Sequence, residues 1–419
     1  MKTNIFSVAV LVMVVLMTAC DNEDNWSDRR SAKVSDAKTV LVYIAGRNDL
    51  TTAVEPDLKE VKEGSKKLGP NDNLLVFVRR YNDGAQPWLA RIKNGEVTDS
   101  VSLSDMGVTS SDDQQRASDP AVMEGVMRYA YSHYPADNGN YGLVLWSHGS
   151  GWLLNNEVKR ASNRAFGADY GNSKYASDVR WINIPTLANV LKGLPHLKYI
   201  MFDCCCMMCL ENLYELRSVA DYIIGSPAEI PALGAPYDEI MTDLFGDGNF
   251  YANIIDKYHK SVSGWLPLSV VKTSEMEQLA QATRQAMQVV KENQAGAYAD
   301  MTGLIHYFYT NRYGEFDPQY SIFYDAGDFF LKHAPQDVYQ QWKQALDKAV
   351  VERRTTTMWD VYNSWTDYYT DFNITDKKMH CVSMFVPQDP AQRNYARYNE
   401  DIKQFEWYNA VFPTMSSEK

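Results

Sequence analysis

A histidine and a cysteine stand in two short motifs that together could carry out nucleophilic chemistry. His148 lies in the run SHGSGW, and Cys205 lies in the run FDCCCMMCLE. A thiol attacks at neutral pH only when its surroundings favour the thiolate, and a nearby imidazole both favours the thiolate and protonates a leaving amine. The two residues are therefore candidates for a cysteine nucleophile and its general acid and base.

Each motif follows a short apolar run that is typical of a buried parallel strand. Tyr141–Trp146 precedes the histidine motif, and Tyr199–Phe202 precedes the cysteine motif. The carboxyl ends of parallel strands lie at one edge of a sheet, where α/β proteins bind their ligands. We therefore expect His148 and Cys205 to face the same crevice. A helix predicted after Cys205 would further favour the thiolate through its dipole.

Strands and helices alternate along the first two thirds of the chain. Over residues 39–272 this alternation predicts βαβ units and therefore a mainly parallel sheet. Residues 273–419 have a predominantly helical pattern, although His380–Val386 returns to strand character. We therefore expect an α/β catalytic core at 39–272, followed by a helical C-terminal region whose late strand rejoins the sheet.

The two motifs resemble those of the clostripain family, which comprises caspase-like cysteine peptidases. The nucleophile motif of that family runs approximately D-A-C-L-M and has a glutamate six residues after the cysteine. Asp203 and Glu211 match the two acidic positions and make Cys205 the nucleophile. The resemblance covers most of residues 39–400. It implies a caspase-like α/β/α sandwich with a mainly parallel central sheet and C-terminal helical additions.

The chain departs from the family pattern at four positions. Cys204 and Cys206 stand where the family has alanine and leucine, Arg47 stands where it often has an acidic residue, and Cys381 stands where it more often has glycine. A fold does not guarantee its chemistry. The three adjacent cysteines and Arg47 therefore leave open an alternative, a catalytically inactive caspase-like surface lipoprotein that acts as a binding module.

The resemblance implies a cysteine endopeptidase that cleaves peptide bonds after Arg or Lys through a Cys–His dyad and a thioester acyl-enzyme. It implies that the N–H groups of Gly149 and Cys205 form the oxyanion hole. In the family an aspartate at the position of Asp203 is associated with a pocket for basic side chains, and we expect Ser226 and Glu229 to line the same pocket. The alternative for Asp203 is a cap on the helix that follows it. No third catalytic residue is predicted.

The loop between the two motifs contains several basic residues. Lys159, Arg160 and Arg164 are candidates for self-cleavage, because many members of the family mature by cutting themselves in this loop. The alternative is an ordinary solvated loop that is never cut.

Four cysteines fall within six positions, whereas a disulfide framework would join distant segments. Cys206 and Cys209 form a CxxC pair, but thiol–disulfide oxidoreductases lack a partner such as SHGSGW, and a zinc site would need a second pair of ligands. A further hypothesis is a disulfide between Cys205 and either Cys209 or another neighbouring cysteine, which holds the enzyme inactive until it is reduced. The proposed chemistry requires no cofactor. A dependence on calcium is known for some relatives and stays open here. Acidic residues are plentiful, but the sequence has no EF-hand spacing.

The first residues are typical of a bacterial lipoprotein signal peptide. The apolar run Ile5–Met17 leads into LMTAC, which is similar to a lipobox, so we expect residues 1–19 to be removed and Cys20 to carry the lipid. The polar residues 20–38 would form a flexible tether. The acidic residues after Cys20 resemble the surface-export signal of lipoproteins from the Bacteroides group. An outer-membrane lipoprotein of the cell envelope is predicted, with a plain secretory peptide as the alternative.

The charge of the chain limits its partners. A formal net charge of −12 argues against nucleic acid, because phosphate binding requires a basic face. The apolar content of 45% is sufficient for one large core or two ordinary ones. The expected partners are therefore peptide or protein substrates with basic residues, and a membrane that holds the lipid anchor.

Overall fold

The structure of the chain is given by a computed structural model. It describes residues 36–81, 87–154, 165–173, 178–307, 322–357, 359–363, 366–369, 378–392 and 395–412. Residues 1–19, which are expected to form a signal peptide, lie outside the described residues, as do Cys20 and the basic residues Lys159, Arg160 and Arg164. The expectations for all of them stay predictions.

The described residues include fifteen strands. They are β1 (Lys38–Gly46), β2 (Asp72–Arg80), β3 (Trp88–Lys93), β4 (Glu96–Ser102), β5 (Tyr141–Trp146), β6 (Phe166–Asp169), β7 (Arg180–Ile182), β8 (Leu197–Asp203), β9 (Ala220–Gly225), β10 (Leu268–Lys272), β11 (Tyr324–Asp325), β12 (Val350–Arg354), β13 (Asp360–Asn363), β14 (Thr366–Tyr369) and β15 (Ser383–Met384).

Nine of these strands form a central sheet in the order β12-β10-β9-β8-β5-β1-β2-β3-β4. The five middle strands, from β9 to β2, are parallel. At one edge β10 pairs antiparallel with both β9 and β12. At the other edge β3 pairs antiparallel with both β2 and β4. The predicted parallel core is therefore confirmed, with antiparallel strands added at both edges.

Helices cover both faces of this sheet. They are α1 (Val54–Ser65), α2 (Pro120–His133), α3 (Ile184–Lys192), α4 (Leu210–Glu215), α5 (Tyr237–Leu244), α6 (Phe250–Ser261), α7 (Met276–Gln294), α8 (Ala326–His333), α9 (Gln336–Ala349), α10 (Tyr395–Asp401) and α11 (Glu406–Val411). None of these helices has both the length and the apolar character needed to cross a bilayer.

The strand β1 shows why the sheet needs cover on both faces. Successive side chains of a strand point to opposite faces, and every residue from Val40 to Ala45 is buried. Val42 packs in an apolar cluster with α1, α5 and α6. Tyr43 packs in the opposite cluster with α2, α3, α4 and α7. The uninterrupted apolar run in the sequence therefore produces the predicted α/β/α sandwich.

The C-terminal region joins the central sheet at a different place from the predicted one. The prediction gave that role to His380–Val386, but the strand that joins is β12, which pairs with β10. Within the predicted run only β15 forms, and it pairs with β11 in a separate two-stranded sheet. The physical reason is local: Cys381 has a φ of 57°, and the buried carboxylate of Asp325 accepts the N–H of His380 at 2.7 Å. The chain therefore bends away from a continuous strand.

Candidate active site

His148 and Cys205 follow two neighbouring strands at the same edge of the sheet. The strands β5 and β8 pair in parallel, and Trp146 lies opposite Asp203 at their carboxyl ends. His148 and Cys205 each lie two residues beyond that pair. The register therefore brings the histidine loop and the cysteine loop side by side, in the crevice where an α/β sheet binds its ligands.

The two loops are in direct contact through Gly149. A Cβ atom added at this position would lie 2.7 Å from the carbonyl oxygen of Cys205 and 3.1 Å from Cβ of Cys204. Real Cβ atoms do not approach a carbonyl oxygen so closely. The glycine therefore permits the close approach of the histidine loop to the cysteine loop.

The histidine loop is also bridged to β6. The N–H of Ser150 donates to the carbonyl of Ala165 at 3.0 Å, and the N–H of Gly167 donates to the carbonyl of His148 at 3.1 Å. Both bonds fall on the neighbours of Gly149, which is the non-hydrogen-bonded residue of this antiparallel bridge. The N–H of Gly149 is therefore directed away from β6, as a donor to an oxyanion must be.

Cys205 is the most accessible of the three adjacent thiols. Cys204 and Cys206 are 2% and 1% exposed, and burial raises the pKa of both thiols well above the usual range. Cys205 is half-buried, and its Sγ accepts a hydrogen bond from the N–H of Ile230 at 3.3 Å. A reactive thiolate needs access and nearby donors. Among the three, Cys205 therefore has the surroundings of a nucleophile.

The imidazole of His148 lies against a carboxylate that the sequence analysis missed. Nε2 of His148 is 2.7 Å from Oδ1 of Asp49, and the hydroxyl of Tyr170 donates to the same oxygen at 3.0 Å. The hydrogen bond with His148 lowers the pKa of Asp49 to about 2. Asp49 follows β1 and is 99 residues away from His148, so no local sequence pattern connects the two.

Asp203 is buried at the end of β8 and does not cap a helix. Its Oδ2 accepts the N–H of Ala235 at 3.1 Å and the hydroxyl of Tyr237 at 2.8 Å, and its Oδ1 accepts the hydroxyl of Tyr258 at 2.7 Å. The next helix begins only at Leu210. The capping alternative is therefore excluded, and the carboxyl group is buried at the end of β8, two residues before the nucleophile.

A second carboxyl group, that of Asp57 on α1, lies beside Asp203 and was also missed. The indole N–H of Trp146 donates to it at 2.6 Å. A Cβ atom added at Gly234 would lie 3.0 Å from an oxygen of Asp203 and 3.4 Å from one of Asp57. Burial, reinforced by the charge of Asp203, raises the pKa of Asp57 to about 8, and burial also raises the pKa of Asp203. Within the described part of the chain, neither carboxyl group has an ion-pair partner.

Ser226 and Glu229 lie on the loop that follows β9, with different exposure. Ser226 is fully buried, and its Oγ accepts the N–H of Ala228 at 3.0 Å while its carbonyl accepts the N–H of Met208 at 3.1 Å. The side chain of Ser226 therefore fixes the loop, and its place in the substrate pocket stays a prediction. Glu229 is half-buried, and its charge helps to raise the pKa of the Cys206 thiol.

The C-terminal region holds both loops in place. Trp152 of the histidine motif is fully buried, and its ring centroid is 4.7 Å from that of Phe385. Glu211 of the cysteine motif accepts the N–H of Phe385 at 2.7 Å, and burial raises the pKa of Glu211 to about 7. The N–H of Ser383 donates to the carbonyl of Met208 at 3.0 Å. These motif residues therefore join the C-terminal region to the site.

Two departures from the family pattern have a local structural account. Cys381 adopts the left-handed φ that favours glycine, and its thiol donates to the carbonyl of Arg354 at 3.5 Å. Arg47 donates from Nε to the carbonyl of Gly171, and its guanidinium lies 4.9 Å from the ring centroid of Tyr81. Both residues therefore support the backbone near the site without occupying the catalytic loops.

The sandwich, with a histidine and a cysteine at adjacent strand ends, defines a caspase-like cysteine peptidase. The model of the clostripain family, C11, matches residues 42–414. The chain therefore belongs to the clostripain family.

Two solved structures are similar to almost the whole chain. One is a secreted C11 cysteine protease from Bacteroides thetaiotaomicron in complex with an irreversible peptide inhibitor, with 28% identity, a TM-score of 0.70, and coverage of 90% of this chain and 99% of that one. The other is an inactive zymogen C11 protease from Parabacteroides distasonis, with 29% identity, a TM-score of 0.71, and coverage of 91% and 99%. No curated protein matches the chain. The family and these structures identify a cysteine-type peptidase.

Proposed function

We propose that the chain is a lipid-anchored cysteine endopeptidase that cleaves peptide bonds after Arg or Lys. Cys205 is the nucleophile, and His148 is the general acid and base. The thiolate attacks the carbonyl carbon, and the N–H groups of Gly149 and Cys205 hold the tetrahedral oxyanion. The imidazolium then protonates the leaving amine, which leaves a thioester that water hydrolyses.

The buried carboxyl pair of Asp57 and Asp203 carries the proposed preference for basic residues. The two groups lie side by side without a cation from the described residues, and the raised pKa of each reflects the cost of burying its charge. A bound guanidinium or ammonium would supply the missing charge. Two unit charges 4 Å apart attract each other by about 4 kcal/mol at an effective dielectric constant of 20, which is enough to select a substrate.

One loop connects this carboxyl pair with the nucleophile. The N–H of Ile230 donates to Sγ of Cys205, and the N–H of Ala235 donates to Asp203. Between them in the sequence is Gly234, where an added Cβ atom would lie 3.0 Å from an oxygen of Asp203 and 3.4 Å from one of Asp57. A peptide whose basic side chain reaches Asp203 would therefore place its following peptide bond close to the thiol.

The direct test is hydrolysis of three fluorogenic peptides that differ only in Arg, Lys or Ala before the scissile bond. Residues 21–419 are assayed under reducing conditions, with and without calcium. We expect turnover of the Arg and Lys peptides at rates at least tenfold above that of the Ala peptide, because one lost charge interaction of about 1.4 kcal/mol already changes a rate tenfold. If none of the three peptides is hydrolysed, before or after limited trypsin treatment, the result would favour the inactive lipoprotein that acts as a binding module.

We also propose that the enzyme cuts its own chain at Lys159, Arg160 or Arg164. The support is their chemical match to the proposed specificity and their position between the two motifs. One similar structure is described as an inactive zymogen. An intact wild-type chain that nevertheless turns over substrate would reject this proposal.

The proposed lipid anchor at Cys20 has a separate test. The Cys20→Ala variant is expected to lose incorporation of labelled palmitate and to leave the membrane fraction, because a thiol is required for the lipid linkage. Its peptidase activity after extraction should equal that of the wild type. A variant that stays in the membrane fraction would show that another feature holds the protein there.

A further inference from the structure

The turn that carries Asp49 is fixed by a buried asparagine. Asn48 donates from Nδ2 to the carbonyl of Ala45 at 3.0 Å and to the carbonyl of Ala168 at 2.8 Å. Its Oδ1 accepts the N–H of Leu50 at 2.8 Å. The side chain of Asn48 thus joins the ends of β1 and β6. The backbone on both sides of Asp49 is therefore held in one position.

Tyr170 and the histidine loop are held in the same assembly. The N–H of Tyr170 donates to the carbonyl of Arg47 at 2.9 Å, and its hydroxyl donates to Asp49 at 3.0 Å. The carbonyl of His148 accepts the N–H of Gly167 from β6. Backbone hydrogen bonds thus hold together the segments that carry Asp49, Tyr170 and His148, and the side-chain bonds of Asp49 join the three polar groups.

The contact between Asp49 and His148 determines where the imidazole carries its hydrogen. The carboxyl group of Asp49 is largely exposed and accepts the hydroxyl of Tyr170 on the oxygen that faces His148, so it is ionised at neutral pH as an ordinary aspartate is. An ionised carboxylate can only accept, so Nε2 of His148 must be the donor. In the neutral ring Nδ1 is then the acceptor and is the nitrogen that can take a proton.

We infer that Asp49 is the positioning residue of His148, holding Nε2–H so that Nδ1 exchanges protons with Cys205 and with the leaving amine. The inference rests on the proposed Cys–His dyad. Nδ1 removes the thiol proton, the sulfur forms a bond to the carbonyl carbon, and the same proton passes to the nitrogen as its bond to carbon breaks. The Nε2 proton stays on the ring throughout, and the carboxylate stabilises the imidazolium.

The test compares Asp49→Ala and Asp49→Asn with the wild type by two readouts. The first is ¹⁵N NMR of the imidazole, assigned by comparison with His148→Gln, in which we expect the Nε2–H form to dominate in the wild type and to be lost in Asp49→Ala. The second is the pH profile of kcat/KM on an Arg peptide. We expect Asp49→Ala to lose about 10- to 100-fold and to shift the profile, because the imidazole contributes about 10²- to 10⁴-fold and the carboxylate only directs it. Asp49→Asn, which keeps an acceptor, should retain the Nε2–H form.

The chain offers a matched control in a second histidine–carboxylate pair. His196 Nε2 is 2.9 Å from Asp221 Oδ1, and both side chains are exposed. Asp221→Ala should leave kcat/KM and its pH profile unchanged. An unchanged tautomer and profile in Asp49→Ala, beside an active wild type, would overturn the inference and leave the peptidase proposal intact. If the wild type hydrolyses no peptide, the peptidase proposal fails, and the NMR readout still decides whether Asp49 directs the ring.

Discussion

The Cys205→Ala variant is expected to lose hydrolysis of basic peptides by roughly 10⁴-fold or more, because removal of a nucleophile leaves only binding and the oxyanion donors. Its fold should be preserved, since Cys205 is half-buried and alanine fills less space. The measurement is kcat/KM on an Arg peptide, with circular dichroism to confirm folding. The same variant should remain a single chain if the wild type cuts itself.

The neighbouring thiols provide matched controls for this prediction. Cys204→Ala and Cys206→Ala should keep kcat/KM within about tenfold of the wild type, because burial raises the pKa of both thiols and keeps them protonated. Brief treatment of the native wild type with iodoacetamide should label Cys205 ahead of either neighbour. An inactive Cys204→Ala variant beside an active Cys205→Ala variant would make Cys204 the nucleophile and refute the assignment of Cys205.

The loops of the site were predictable because they follow strands with a clear pattern. An apolar run without alternation indicates a strand buried on both faces, and parallel strands end at one edge. His148 and Cys205 follow two such runs, and β5 and β8 proved to be direct neighbours in register. The fold class followed from the same reasoning applied to the rest of the core.

The carboxylates of the site were not predictable, for a physical reason. Asp49 and Asp57 lie on a turn and a helix after β1, where acidic residues are common on exposed surfaces. Their roles depend on which strands are adjacent to β1, and that order is a property of the whole sheet. Asp57 is in addition held by Trp146, 89 residues away in the sequence. No local spacing contains that information.

The prediction of a continuous strand at 380–386 was wrong for a different reason. Its composition favours a strand, but Cys381 adopts a left-handed φ and His380 is held by a buried aspartate. Local propensity is weaker than such tertiary contacts. The strand that extends the sheet, β12, instead follows α9 directly, within the region whose pattern predicted mainly helices.

The Asp203→Asn variant is expected to lose kcat/KM on the Arg peptide by about 100-fold, equivalent to roughly 2.7 kcal/mol, while the Ala peptide changes by no more than about threefold. Asparagine has nearly the same shape but removes the charge beside the nucleophile. Asp57→Asn should show the same selective loss to a smaller extent, about tenfold. Asp57 lies next to Asp203, but it is on α1, whereas Asp203 directly precedes the nucleophile loop. The measurement is the ratio of kcat/KM for the Arg peptide to that for the Ala peptide.

The pH dependence of that ratio separates a recognition role from a structural one. Burial and Asp203 raise the pKa of Asp57 to about 8, so its carboxyl group is mostly neutral at pH 6 and ionised at pH 9. Arginine stays charged throughout this range, and both peptides are cleaved by the same catalytic residues. The preference for Arg over Ala should therefore rise between pH 6 and pH 9 in the wild type, and Asp57→Asn should lose the part of that rise that is centred near pH 8. Glu239→Gln, an equal charge change on the exposed face of α5, should leave the ratio unaltered. An equal loss on both peptides in Asp203→Asn would make the carboxyl pair part of the scaffold alone and would remove the basis for the proposed specificity.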